Sequence, residues 1–485
     1  MGGLKATFLT DYLHTTIALI LLLYFSIAVL TNEHIGGLTG LYEKAKAAEV
    51  NIVGNYQGSL LTMKSRPCKS LHNVPLFAKV TNRIAVLFGI VLKFGNLALV
   101  LMDTAFWQKS FASEVHSTVP AYGLVSIVIL AIPWCTGTII GLAARAIEHN
   151  PIWFNYPNVL TLKQVNSGLV MPYVLRSLLG KGATNGLLVL IFMAITSTVS
   201  SSMIAVSSII SLDGYRTYFN PKASDRRTLQ VSHWGVVFHG TFMAGFAIML
   251  QYAGATNLWS TYFRPVMACP GIIPMILTLF WSRQTKAAAI LGPLLGLLSG
   301  LATWLSLSWY YGGAINITTT QTQLAGLYGA VVSFFSPLFY SVAISLIWPS
   351  KFDWREFLRI DLIEDENSAT SSLKSKTPSS EVVSDVEGVK TEHHDEKRIA
   401  RAAAAHPGSG LQPAQHKAQS KIPIEDVVHP FDAETIRHIK KWLKISIWYF
   451  IVNFIVTCIL WPLPLYRNYI FTRSFFDGWV VMALM

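Results

Sequence analysis

The sequence predicts an all-α polytopic membrane protein, and three observations carry that reading. Hydrophobic residues fill 52% of 485 positions and charged ones only 13%, with a mean hydropathy of +0.44, whereas soluble domains are about 25% charged. The apolar residues gather into about nine runs that approach or exceed the roughly 20 residues a helix needs to cross a bilayer. Alternating ten-residue segments of the kind that build a transmembrane barrel are missing from the pattern, so the backbone must satisfy itself as helices.

In chain order the runs are Thr10–Leu30, Ile84–Met102, Tyr122–Ala143, Gly186–Leu212, Trp234–Tyr252, Leu258–Trp281, Ala287–Trp309, Leu324–Trp348 and Leu443–Trp461. The first is too long for the core of a cleaved signal and follows Gly2, Gly3 and Lys5 rather than a typical leader. Pro270, Gly271 and Pro274 are placed to break the sixth, although both residue types are common in spans. Between the eighth and ninth runs the composition turns to Ser, Glu, Asp, Lys and Pro, as in "DLIEDENSATSSLKSKTPSSEVVSDVEGVKTEHHDEKR", too polar to bury a core. The expected organisation is therefore a membrane core over residues 1–350, a disordered linker over 351–441 and a last membrane segment over 442–485.

Lys and Arg in short loops set orientation. Arg216, Lys222, Arg226 and Arg227 lie in one loop, Arg283 and Lys286 in another, and Lys109 in a third; these loops are expected in the cytoplasm, with the linker. Residues 253–257 and 310–323 carry no basic side chain, while Arg145, Lys163, Arg176 and Lys181 in the 144–185 loop run against the pattern. Asn316-Ile317-Thr318 forms a sequon on the expected outer side, a triplet also common by chance. The linker's serines and Thr377-Pro378 could receive kinases or other cytoplasmic regulators, or the segment is a passive tether; His393 and His394 read as a solvated pair.

The net charge of +12 does not point to nucleic acid, because the basic residues flank membrane runs and form no binding motif. Cys68, Cys135, Cys269 and Cys458 are far apart, so neither a disulfide framework nor a metal site is indicated. No cofactor and no enzymatic cluster of nucleophile and base stands out in the runs.

The chemistry concentrates in "MAITSTVSSSMIAVSSIISLDGYRTY", residues 193–218. At 100° per residue, Ala194, Ser197, Thr198, Ser201, Ala205 and Ser208 share a narrow face, with Ile195, Val199, Met203, Val206 and Ile210 opposite. Such a stripe permits close helix packing with hydrogen bonds across the contact. It equally offers hard oxygen ligands for a small cation, the other reading of the same residues.

Several segments resemble the urea active transporters of fungi and plants, a branch of the sodium:solute symporter superfamily. These are "GGLKATFLTDYLHT", "NLALVLMDTAFWQKSFAS" with Gln108-Lys109 where the superfamily has Gln-Arg, and "YPNVLTLKQVNSGLVMPYVLRSLLGKGATNGLLVLIFMAIT" through "LDGYRTYFNP". The resemblance implies a LeuT-type inverted-repeat bundle that moves urea, with polyamines as further substrates, by coupling to H+ or Na+ in a plasma membrane. It places a cation site at Ala194 (carbonyl), Ser197 and Thr198, counted back from Asp213, with Ser201 on the same face. It places a substrate contact at Asn96, twelve residues before Gln108, whose amide both donates and accepts; helix packing is the competing role. Asp11 is implied on the inner path of the ion, or is a surface charge at a helix end.

Asp103 and Lys93 are intramembrane charges open to two readings, relay groups or side chains snorkelling to water, and Arg264 reads as snorkelling. Relatives in this family begin several helices earlier, so the resemblance also implies an incomplete bundle that starts inside the core and stops within its last helix at "GWVVMALM". A symporter of another small solute, a non-transporting remnant and a membrane sensor signalling through the linker are the alternative functions.

Overall fold

The computed structural model describes residues 3–51, 55–64, 83–354, 433–460, 463 and 468–484. Among them the regular structure is entirely helical. Cys68 and nearly all of the 351–441 linker, including His393 and His394, lie outside the described residues.

The helices are α1 (Gly3–Leu30), α2 (Gly37–Ala48), α3 (Arg83–Met102), α4 (Thr104–Ala112), α5 (Val115–Ile147), α6 (Leu162–Asn166), α7 (Val170–Leu178) and α8 (Gly180–Ser208). Then come α9 (Asp225–Ala253), α10 (Asn257–Ala268), α11 (Ile272–Phe280), α12 (Lys286–Gly312), α13 (Ile317–Thr320), α14 (Gln323–Ile347), α15 (Ala433–Phe454) and α16 (Arg473–Leu484). Wider π-type turns extend α8 to Phe219 and α15 to Leu460. Six segments are long and apolar enough to cross a membrane, seven if α3 and α4, bent by 50°, count as one. All nine expected runs are helical over their described residues. The two beyond those seven are α5, apolar over Ile132–Ile147, and α15. In the latter, residues 433–442 are also helical although hydropathy does not register them, because Lys440, Lys441 and Lys444 make these turns polar.

The chain divides into two units, one of residues 1–205, 237–352 and 433–485, the other of residues 206–236 and 353–432. In the second, the end of α8 turns back through the π-type segment into α9. A Cβ on Gly235 would meet the Ser207 Cα at 3.2 Å. Arg216 Nη1 bonds Asp225 Oδ1 at 3.1 Å across the turn.

In the first unit, α5 gathers α1, α2, α7, α15 and α16 around it. Phe25, Ile139, Ile147, Trp153, Val174, Leu175 and Phe476 form one buried cluster. Residues 61–62 join residues 469–471 through Phe471 N to Leu61 O at 2.7 Å and Thr62 Oγ1 to Tyr469 O at 2.7 Å. These strips follow the first and ninth runs in the sequence, and Trp153, which follows the third, belongs to the same buried cluster as Leu61 and Phe471. The 144–185 stretch, expected as a loop, holds α6 and α7. Five and nine residues are too short to register as hydropathy, yet Thr161 and Gln164 form a capping box and α7 buries Val174 and Leu175.

The other body of this unit is α3, α10, α12 and α14. Helix α12 presents Gly292, Gly296 and Gly300 at four-residue spacing to Ser341, Pro337 and Ser333 of α14. Small residues on both sides let the backbones approach. The approach has a further use, because α10 and α11 are separated by a tight turn at Cys269–Gly271. Pro270 has no N–H for the carbonyl of Val266 four residues back, and a buried carbonyl left bare is costly. Ser333 Oγ donates to it at 2.9 Å.

A Cβ on Gly300 would stand 3.1 Å from the Ser333 Cα, and backbone cannot rotate away. Gly300→Val is expected to cost about 1–3 kcal/mol through overpacking and to loosen the Ser333 bond to Val266. Gly245→Ala, where a Cβ meets nothing within 4 Å, should be neutral or slightly stabilising. Thermal unfolding of the purified variants in detergent reads the difference.

Candidate functional site

Three of the residues singled out from sequence come together. Asp11, in the first third of α1, takes Lys109 Nζ on Oδ2 and the Ser197 hydroxyl on Oδ1. Lys109 Nζ also donates to Ser201 Oγ at 2.6 Å, and Ser201 in turn donates to the Ser197 carbonyl at 3.0 Å. The Asp11 and Lys109 side chains are 19% and 25% exposed. Helix periodicity explains the pairing on α8, since residues four apart stack on one face. The result is a compact set of one carboxylate, two hydroxyls and one ammonium, joined from α1, α4 and α8.

Lys109 is the member whose contact with Asp11 sequence reasoning missed, being read as an orientation marker and as the second residue of the Gln108-Lys109 pair. The signal was present: residues at the start of the first run and just after the second lie at one end of a bundle, and Asp11 and Lys109 are opposite charges there. His14 was also passed over. It follows Asp11 by one helical turn, and its Nδ1 is buried without a hydrogen-bond partner among the described residues.

The remaining candidates are placed differently. Thr198 Oγ1 donates to the Ala194 carbonyl at 2.9 Å, a bond back along its own helix, and both residues are exposed. Asn96 is exposed on α3, beside Gly95, which packs against Pro265. Asp103 sits at the bend between α3 and α4 and caps α4, its Oδ1 accepting from Ala105 N at 2.9 Å. Lys93 Nζ reaches Thr457 Oγ1 at 3.1 Å, and Arg264 Nε bonds the Ser260 carbonyl at 3.3 Å. Midway along α9, His239 Nε2 shares a hydrogen bond with Ser202 Oγ at 3.0 Å. Among the described residues no three His, Cys, Asp or Glu side chains group as metal ligands.

Hydroxyl and carboxylate oxygens are hard ligands that suit an alkali cation or an ammonium, and here they surround the ammonium of Lys109. Asp11→Asn and Lys109→Gln should each destabilise the protein more than the double variant does, with a coupling of about 0.5–3 kcal/mol in a thermodynamic cycle. Asp103→Ala should cost about 1 kcal/mol through loss of the cap and leave any cation dependence unchanged, which unfolding in sodium and choline buffers would show.

Comparison with known proteins adds the family. Residues 1–296 match the model of the Sodium:solute symporter family. The whole chain is 32% identical to "Probable urea active transporter 1" of Schizosaccharomyces pombe, covering 62% of that protein, and 29% identical to "Urea active transporter" of Saccharomyces cerevisiae, covering 65%. It is 32% identical to "Urea-proton symporter DUR3" of Oryza sativa subsp. japonica over 73% of this chain and 48% of that one. The chain thus spans less than two thirds of the length of these curated relatives. With more than half of its residues matched by the family model and its apolar runs folded as helices, it is an integral membrane protein that belongs to the sodium:solute symporter family.

Proposed function

We propose that the protein carries out secondary active transport of urea into the cell, driven by a coupled cation. The observation that carries this is similarity along the entire chain to two yeast proteins named urea active transporters. Energetics agree with coupling. Urea is neutral, so the membrane potential alone does not concentrate it. One co-moving cation contributes about 2.3 kcal/mol per 100 mV, which sustains roughly a fifty-fold gradient at ~1.4 kcal/mol per tenfold.

The proton is the favoured coupling ion, because the rice relative is named a urea-proton symporter, and Na+ is the alternative. Asp11, Ser197 and Ser201 are the proposed ion-handling residues, with Ala194 and Thr198 beside them and Asn96 as the proposed urea contact. The Asp103 cap bond favours a structural role for that residue over a place on the ion path. Residues 1–350 and 442–485 form the proposed transporter body in the plasma membrane, and the 351–441 linker the proposed site for cytoplasmic regulators. Polyamines are proposed as secondary substrates.

The test is uptake of labelled urea at low external concentration by cells lacking their own carrier. Uptake should rise in acidic buffer, be indifferent to sodium, and fall at least about tenfold for Ser197→Ala, the order expected for loss of a hydrogen bond to a charged group. A correctly inserted protein that moves no urea under either gradient would overturn the assignment and favour another small solute of the family.

A further inference from the structure

The turn between α8 and α9 is more basic than its folding requires. Residues 213–227 hold Arg216, Lys222, Arg226 and Arg227 against Asp213 and Asp225. Arg216 is the structural member, mostly buried and bonded to Asp225. The other three are exposed and form no ion pair among the described residues, although Arg227 Nη1 bonds the neutral Gln230 Oε1 at 3.2 Å. The turn holds its shape through its own bonds, Asn220 N to Tyr215 O at 2.9 Å, Ala223 N to Asn220 O at 3.1 Å and Arg227 N to Ser224 Oγ at 3.4 Å, with Ala223 and Thr228 buried. Three cations are thus presented on an ordered backbone without a counter-charge.

Their depth identifies the kind of anion. Trp234 opens the fifth apolar run, is 74% exposed, and shares a helix face with Arg227 seven residues earlier. Exposed tryptophan settles at the membrane–water interface. Two helical turns, about 10 Å, then carry the chain across a headgroup layer roughly 5–8 Å deep. Arg226 and Arg227 therefore reach headgroup level. Tyr218 and Phe219, each 82% exposed, stand on the other arm of the same turn. Guanidinium and ammonium groups both match phosphate oxygens, and the aromatic flank favours a phosphate that arrives attached to acyl chains.

We propose that the α8–α9 turn lies on the cytoplasmic face and binds an anionic phospholipid headgroup through Lys222, Arg226 and Arg227, with Trp234 against the glycerol and upper acyl chains. The headgroup class is one bearing a phosphate monoester, whose charge of about −1.5 to −2 answers the three cations. Each basic side chain near anionic lipid contributes about fivefold in affinity, so three give roughly a hundredfold preference over a zwitterionic headgroup. The site is separate from the Asp11 cluster and independent of which solute the protein moves.

The experiment titrates the purified full chain, in a neutral detergent, with fluorescent short-chain phosphatidylinositol 4-phosphate, with phosphatidylcholine and with the deacylated inositol phosphate headgroup. The wild-type chain should prefer the phosphoinositide over phosphatidylcholine by roughly a hundredfold, less as salt rises. The triple variant Lys222→Gln, Arg226→Gln, Arg227→Gln should lose most of that preference. The double variant Arg283→Gln, Lys286→Gln, in another basic loop, should keep it. The deacylated headgroup should bind at least about tenfold more weakly than the lipid, and Trp234→Ala should narrow that gap.

The proposal is overturned if the triple variant binds as the wild type does, or if the double variant loses the preference to the same degree, since binding then follows net charge and not this turn. It is also overturned if the deacylated headgroup binds as tightly as the lipid, which makes the turn a site for a soluble phosphate compound. A triple variant that fails to fold counts against it too, because the proposal gives these three side chains no structural role.

Discussion

The ion pair between Asp11 and Lys109 is the constraint that ties α1, α4 and α8 together. A charge in an apolar segment is expensive unless it is paired and hydrogen-bonded, and neither residue meets that condition on its own helix. Asp11 on α1 needs donors, and finds them in Lys109 from α4 and Ser197 from α8. Lys109 needs acceptors and finds Asp11 and Ser201. Three helices distant in sequence are thereby fixed in register by the requirement that two charges be satisfied together. The same requirement brings the Asp11, Ser197 and Ser201 oxygens to one point.

A parallel argument holds for the α10–α11 break. Proline chemistry frees the Val266 carbonyl, and an apolar surrounding gives it no water to bond. Ser333 answers it, and Ser333 can reach only because α12 presents Gly300 where any larger residue would hold α14 away. The glycines at 292, 296 and 300 therefore serve more than close packing, since the distance they set decides whether a backbone polar group on a third helix is satisfied. At the other end of these helices, Trp259 and Trp304 spend their indole N–H groups on Thr320, which closes the short α13 turn over their rings.

Much of this was legible in the sequence for a simple reason: apolar runs of about 20 residues have few structural options in lipid. All nine became helices. What hydropathy could not register were elements whose stability comes from tertiary partners, such as α7, held by Val174 and Leu175, or the first turns of α15, where Thr435 and His438 bond His116 despite a polar composition. The site was half legible. Periodicity put Ser197 and Ser201 on one face, but periodicity is a property of one helix, and Lys109 comes from another. Asp103 illustrates the converse, because an acidic residue before a helix start is a cap by local chemistry, and its position at the end of an apolar run invited a more distant role.

The energy scales limit how such a site can operate. Breaking a buried ion pair without replacement costs about 3–5 kcal/mol, more than the roughly 2.3 kcal/mol that one charge gains from crossing 100 mV. A transport cycle that pulled Asp11 from Lys109 into a dry interior would therefore stall. The pair, however, is a fifth to a quarter exposed, so water reaches it and the cost of separation falls below the fully buried figure. Exposure of that degree puts the pair between two extremes. A fully buried pair would lock the helices, whereas a fully solvated one would contribute too little to hold three of them in register.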